Sequence, residues 1–193
     1  MSCFTEAELL ALSPETVMLE MGVGQRPVWQ GSITVDVNPR SKASIVHDLN
    51  SLPYPFPDNH FDIVLAEHVI EHLTDVIKVI EEVHRILKPG GRFYIEVPHF
   101  SSCHQHTDLT HLHAFSVRSF DYFCPTGTDG GLYAFHYSHF DWKKHLARMN
   151  GPRDNFFQRF IDDHSNRHQY RFERDFTWIF PRETLNFILE PIK

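Results

Sequence analysis

The chain has 193 residues, 41% of them apolar, and a formal charge of −7; that length can bury one substantial core and makes a single domain over residues 1–193 the default. The negative balance disfavours nonspecific nucleic-acid binding and attachment to anionic membranes, both of which need clustered cations. Cys3, Cys103 and Cys124 are odd in number without paired spacing, and the segment holding Glu6 and Glu8 lacks an apolar run long enough for a secretory signal or a spanning helix; the expectation is a soluble cytoplasmic protein, monomer or homodimer.

Along the chain, Thr5 and Glu8 have capping-box spacing and predict a short helix before Pro14. Five short apolar or β-branched runs follow, at residues 16–21, 33–37, 44–49, 61–66 and 92–97. Each is bounded by turn residues, which predicts a buried, largely parallel sheet. Between the fourth and fifth, Val76, Ile80, Val83 and Leu87 recur at helical spacing, with Thr74 as the expected cap and Lys88-Pro89-Gly90-Gly91 as the stop. The connections after the first and second runs are much shorter than a helical crossover needs, so helices there are expected to be vestigial and the covering layer on one face thin. Beyond Val97, residues 116–123 read as a helix, 132–142 as a strand and 184–193 as a final strand, while 152–180 has mixed helical character.

Ligands of open α/β sheets sit at the carboxyl ends of the strands, and polar residues stand at each of those ends. The first run closes on Glu20, Gly22 and Gly24, where missing side chains permit a sharp turn and close approach of backbone to a ligand. The second closes on Asp36, able to accept from ribose hydroxyls, and the third on Asp48, able to accept from an exocyclic amine. A carboxylate at Glu20 would repel a pyrophosphate and welcome a cationic amino group. The dinucleotide pattern G-x-G-x-x-G is also incomplete, with Pro27 at its third glycine.

The stretches "VMLEMGVGQ", "VDVNP", "HDLNSLPYPFPDNHFDIVLAEHVIEHL" and "ILKPGGRFYIEVP" together resemble the class I S-adenosylmethionine-dependent methyltransferases over about residues 17–98. The resemblance implies a Rossmann-like α/β fold with a seven-stranded, mostly parallel sheet whose last strand is antiparallel, and S-adenosyl-L-methionine as cofactor. It further implies that Glu20, Gly22 and Gly24 face the methionine part, Asp36 the ribose, and Asp48 with Leu49 the adenine. Ala66, Glu67 and His68 would line the inner wall. Two departures stand out: Arg26 replaces a third glycine frequent in the family's first loop, and Pro27 follows it.

The segment leaving the fifth run carries His99, His104, His106, Asp108, His111 and His113. Three readings compete: an acceptor pocket, a metal set built on His104 with His106 or His111 with His113, and a solvated loop. No fixed metal motif is present, and the pocket reading is preferred, without a metal. Methyl transfer chiefly requires an acceptor lone pair held in line with the activated methyl; a base is needed only where the acceptor loses a proton. His99, Asp108 and His111 are the expected pocket residues, with one histidine as base and Asp108 orienting it. Residues 99–180 would build the acceptor lid; Phe100, Phe115 and Phe120 are either an apolar wall or core. Glu71 and His72 read as packing or solvated residues. The expected activity is methyl transfer to a small-molecule oxygen, nitrogen or sulfur. Its rivals are a non-catalytic cofactor-binding module, a tRNA-directed enzyme, because wobble-uridine methyltransferases share the "HVIEHL" region, and a metal-dependent enzyme using the histidines.

Overall fold

The structure, a computed structural model, describes residues 13, 15–26, 29–126, 130–152 and 156–193. The expected capping box at Thr5 and Glu8 lies outside these residues, as does Pro27. In chain order the elements are β1 (Met18–Met21), β2 (Ile33–Asp36), β3 (Ile45–Val46), β4 (Phe61–Glu67), a 3-10 turn at Ile70–His72, α1 (Val76–Ile86), β5 (Leu87–Pro98), α2 (Cys103–Thr107) and a second 3-10 turn at Asp121–Phe123. After these come α3 (Gly130–Tyr133), β6 (Asp141–Asn150), α4 (Phe156–Arg167), α5 (Gln169–Asp175) and β7 (Thr184–Ile192).

All seven strands form one sheet in the order β3-β2-β1-β4-β5-β7-β6. The pairs β1–β2, β2–β3, β1–β4 and β4–β5 are parallel, whereas β7 runs antiparallel to both β5 and β6. The expected α/β class and antiparallel final strand are therefore observed. The central strands are continuous apolar runs, with Leu19, Met21, Val64, Leu65, Phe93 and Ile95 fully buried, because a parallel sheet is covered on both faces. Chain direction across the sheet reverses between β1 and β4: β1 leads outward to β2 and β3, and the chain returns to β4 on the other side of β1. That reversal opens a crevice at the carboxyl ends of these strands.

The shortened crossovers are also observed, with no helix among the described residues between β1 and β2 or between β2 and β3. Helix α1 starts where expected, but Asp75 caps it, accepting from the Lys78 amide at 3.1 Å, while the Thr74 hydroxyl turns to Asn50 Oδ1 at 2.9 Å. Thr74, whose amide and hydroxyl both donate to Asn50 Oδ1, thus stands one residue before the cap.

Two expectations in the second half fail. Residues 116–123 hold a single 3-10 turn instead of a helix, and the strand read at 132–142 is displaced to Asp141–Asn150. The alternating aromatics at Phe135 and Tyr137 are largely exposed and stack on one another and on Tyr122, so their spacing does not report a buried face. The actual strand β6 is a sheet edge bearing Lys143, Lys144 and Arg148. Such charges protect an edge from pairing with other chains while weakening its apolar alternation. Its anchor is Trp142, fully buried against His84 and Phe93.

Candidate active site

The crevice contains a cavity of about 450 Å³ lined by Gly22, Asp36, Val37, Asp48, Leu49, Asn50, His68, Val69, His72 and Leu73, within the roughly 300–1,000 Å³ range of small-molecule sites. Its floor is the turn after β1. Gly22 has φ +60°, and a Cβ there would lie 2.3 Å from Val69 Cγ2, so this position admits only glycine; Gly24, at φ +53°, faces open space. The Gly24 amide donates to Asp36 Oδ2 at 2.7 Å and the Asn38 amide to Asp36 Oδ1 at 2.7 Å. Asp36 thus ties the glycine turn to β2, and each of its oxygens keeps lone-pair capacity toward the cavity. Asp48 is exposed at the rim, holding an Asx turn through the Asn50 amide at 2.9 Å. Leu49 is buried beneath it, its carbonyl accepting from the Tyr54 hydroxyl at 3.0 Å. A larger groove of about 600 Å³ runs past Glu82, Arg85, Asp58 and Lys193. There Arg85 is paired with Glu82 at 2.5 Å and Asp58 at 2.6 Å.

The expected placement of Glu20, Ala66 and Glu67 on the cavity wall is not what the structure holds. Glu20 is fully buried and committed: Oε1 accepts from the Trp29 amide at 2.7 Å and the Ser32 hydroxyl at 2.5 Å, and Oε2 lies 3.3 Å from Arg26 Nη1. The Ala66 side chain is packed into the apolar core. Glu67 turns to Arg26 Nη1 at 2.8 Å. Arg26, which the sequence presented as a lost glycine, therefore stands between two carboxylates. Its Nε and Nη2 are buried without a hydrogen-bond acceptor.

His68 does line the cavity. It has φ +54°, a left-handed conformation costing a non-glycine residue roughly 1–2 kcal/mol. Its imidazole lies between Glu71 Oε1 and Glu96 Oε1, each at 3.4 Å. Contact with Glu71 and then Glu96 raises its pKa to about 9 against the opposing effect of burial. The 3-10 turn that follows presents Glu71 inward, fully buried, and His72 toward the cavity.

The histidine loop is stapled to this turn through backbone: the amides of Leu112 and His113 both donate to the Glu71 carbonyl, at 2.8 and 3.2 Å, and His113 Nε2 meets the Leu73 carbonyl at 2.8 Å. His111 Nε2 consequently comes within 3.9 Å of Glu71 Oε1, and the rings of His72 and His111 sit edge to face at 4.6 Å. Asp108 is linked to a histidine only indirectly, and that histidine is His72. The Thr110 hydroxyl donates to Asp108 Oδ1 at 2.7 Å and meets His72 Nδ1 at 2.9 Å. The two hydrogen bonds from Thr110 outweigh desolvation and hold the Asp108 carboxyl below its ordinary range.

His99 is a correction. It is fully buried, and both ring nitrogens are occupied: Nδ1 accepts from the Ser101 amide at 3.1 Å and Nε2 meets Glu173 Oε1 at 3.1 Å. Because Glu173 also takes the Val117 amide at 2.8 Å, this network fastens α5 to the end of β5. His99 thus cannot reach a substrate in the cavity. Phe115 and Phe120 are likewise core residues. His104 and His106 are exposed. Arg26, Asn50, Glu71 and His72 also stand in this region, although the sequence presents Arg26 as a departure from the glycine loop and Glu71 and His72 as packing or solvated residues.

A family model described as a methyltransferase domain matches residues 12–95. This stretch of the chain is therefore similar to a methyltransferase domain. Among curated methyltransferases, a demethylmenaquinone methyltransferase of Geobacillus sp. (strain WCH70) is 24% identical over 152 residues, 79% of this chain and 61% of that protein. The chain thus spans about three fifths of that relative's length. Two solved structures share the fold. The YcgJ protein of Bacillus subtilis has a TM-score of 0.57 at 17% identity, covering 96% of this chain and 95% of that one. A SAM-dependent methyltransferase from Archaeoglobus fulgidus has a TM-score of 0.58 at 15% identity, covering 95% and 90%.

Proposed function

We propose that this methyltransferase moves the methyl group of S-adenosylmethionine to an oxygen, nitrogen or sulfur of a small molecule. The observation that carries this reading is the cavity at the β1/β2/β4 strand ends, where the Gly22–Gly24 turn and Asp36 face one space with Asp48 and Leu49 at its rim. Asp36 accepts from the ribose hydroxyls, and Asp48 and Leu49 border the adenine. For the methionine carboxylate the candidate partner is Arg26, on the glycine turn that leads into the cavity, in place of Glu20. The unsatisfied Nε and Nη2 of a guanidinium form the two-pronged edge that suits a carboxylate. His68 also lines this cavity, with its charge held by Glu71 and Glu96.

On the acceptor side lie His72 and His111, with Asp108 acting on His72 through Thr110. Leu109, 95% exposed, and Leu112 offer apolar surface beside these polar groups. Bringing the acceptor lone pair to near-attack distance and excluding water accounts for most of the rate; an imidazole is needed only for a hydroxyl or thiol acceptor. The net charge of −7 supports a small acceptor over a polyanion. Free Cys103 and Cys124 support a reducing, cytoplasmic setting. No helix among the described residues is long and apolar enough to cross a membrane.

Calorimetric titration of the full chain with S-adenosylmethionine tests this reading. One equivalent binds, and Asp36→Ala, with an unchanged circular dichroism spectrum, weakens it at least tenfold. No binding to the unmodified protein at millimolar cofactor refutes the reading. Release of S-adenosylhomocysteine on incubation with quinol, phenol, amine and thiol panels then identifies the acceptor class.

A further inference from the structure

We infer that Glu71, His72 and His111 form a binding site for one divalent transition-metal ion. Three observations converge on it. First, one ligand atom from each residue lies within 4.8 Å of the others, and ligand atoms around an ion bound at about 2.0–2.2 Å stand roughly 3–4 Å apart, so modest side-chain closure completes the set.

Second, Glu71 is fully buried, and neither of its carboxylate oxygens has a hydrogen-bond donor. A buried carboxylate oxygen without a hydrogen-bond donor is unfavourable and is relieved by a bound cation. Its Oε1 is in ion-pair contact with His68 Nδ1 at 3.4 Å, while Oε2 has no partner among the described residues and is open to a further cation. The separation between Glu71 Oε1 and His111 Nε2, 3.9 Å, is too long for a hydrogen bond and suits two ligands of one ion.

Third, the protons on both imidazoles are assigned by their outer partners. Thr110 has a single hydroxyl hydrogen and gives it to Asp108, so toward His72 Nδ1 it can only accept. His72 is therefore protonated on Nδ1 and keeps a lone pair on Nε2. His111 Nδ1 meets the Gln105 carbonyl at 3.1 Å, which can only accept, and its lone pair is on Nε2, the nitrogen that faces Glu71. Each histidine thus has one ring nitrogen held by an outer partner, and in His111 the other nitrogen faces Glu71, the arrangement that outer partners impose on metal-bound imidazoles. Two neutral imidazoles and a carboxylate favour zinc, cobalt, manganese or iron(II) over magnesium, which prefers oxygen ligands and water. His72 also lines the cavity, which places the ion at its rim.

The inference does not depend on cofactor binding and is tested without it. Tag-free full-length protein is stripped with chelator and titrated with Co2+, followed by its visible absorption, then back-titrated with Zn2+. The expected result is one Co2+ per chain, displaced by Zn2+. Affinity falls at least a hundredfold in Glu71→Gln and at least tenfold in His72→Ala and His111→Ala, and is unchanged in His104→Ala and His106→Ala, whose imidazoles are exposed on the same loop. Should Glu71→Gln fail to fold, the double variant His72→Ala/His111→Ala carries the test, since both residues are only partly buried. Absence of a stoichiometric Co2+ spectrum, or a spectrum that survives these substitutions, overturns the site.

Discussion

Replacing Gly22 by alanine separates the two physical demands made on the turn beneath the cavity. At φ +60° an alanine carries the left-handed penalty of roughly 1–2 kcal/mol. Its Cβ would also sit 2.3 Å from Val69 Cγ2, well inside an ordinary carbon contact, and relieving such overpacking in a close-packed interior costs about 1–3 kcal/mol. The expected loss of unfolding free energy is therefore about 2–5 kcal/mol. Gly24→Ala is the internal control. It has nearly the same φ, +53°, but its new methyl meets nothing within 4 Å, so only the conformational part, about 1–2 kcal/mol, is lost. Val69→Ala removes the obstructing methyl groups; in that background Gly22→Ala should cost no more than Gly24→Ala does. Equilibrium urea unfolding followed by circular dichroism gives all four values, provided the denaturant slope is unchanged. Equal costs for the two glycine variants, or an excess that persists after Val69 is truncated, would refute the packing argument.

Arg26→Ala should weaken S-adenosylmethionine binding about 10- to 100-fold, the range of a charge-assisted hydrogen-bond pair, while leaving 5′-methylthioadenosine, which lacks the amino-acid tail, bound as before; equal losses for both ligands would show that Arg26 supports the loop rather than the carboxylate. Burial, the largest influence, holds the His84 imidazole below its ordinary pKa of 6.5. The folded state therefore favours neutral His84, and this contribution to stability is complete above pH 6.5 and is lost as pH falls from there through the lowered folded value. Its slope cannot exceed about 1.4 kcal/mol per pH unit for one proton. His84→Phe preserves ring packing against Phe140 and Trp142 and should flatten this part of the acid limb in melts between pH 7 and 5; an unaltered profile would exclude His84 as a source of acid sensitivity.

What could be read from the sequence was whatever is encoded locally. The strands of the first half are short apolar runs closed by turn residues, and a strand's position fixes which residue stands at its carboxyl end, so the sequence alone brings Asp36, Asp48 and the Gly22–Gly24 turn near one another. Side-chain direction at those ends was not legible. Glu20 and Asp36 look alike in sequence, yet Glu20 is turned into the protein by Trp29, Ser32 and Arg26, while Asp36 remains at the cavity. His99 misled for a related reason. It reads as the first residue of a loop, but it forms a parallel bridge with Phe115 that extends the sheet and buries it. Glu71 and His72 read as packing or solvated residues because one 3-10 turn gives no periodicity to interpret, and their neighbour His111 arrives from a distant segment through backbone hydrogen bonds that side-chain patterns do not encode.

That stapling has a consequence for how acceptor preference can change. The loop from Asp108 to His113 is registered against the 3-10 turn by two amides sharing one carbonyl, atoms that every residue type except proline supplies. Exposed positions such as Leu109 can therefore be exchanged freely while the anchored backbone keeps its place. A diversified library restricted to these few solvent-facing sites would sample new substrates on an unaltered scaffold, with the nucleoside half of the crevice left untouched.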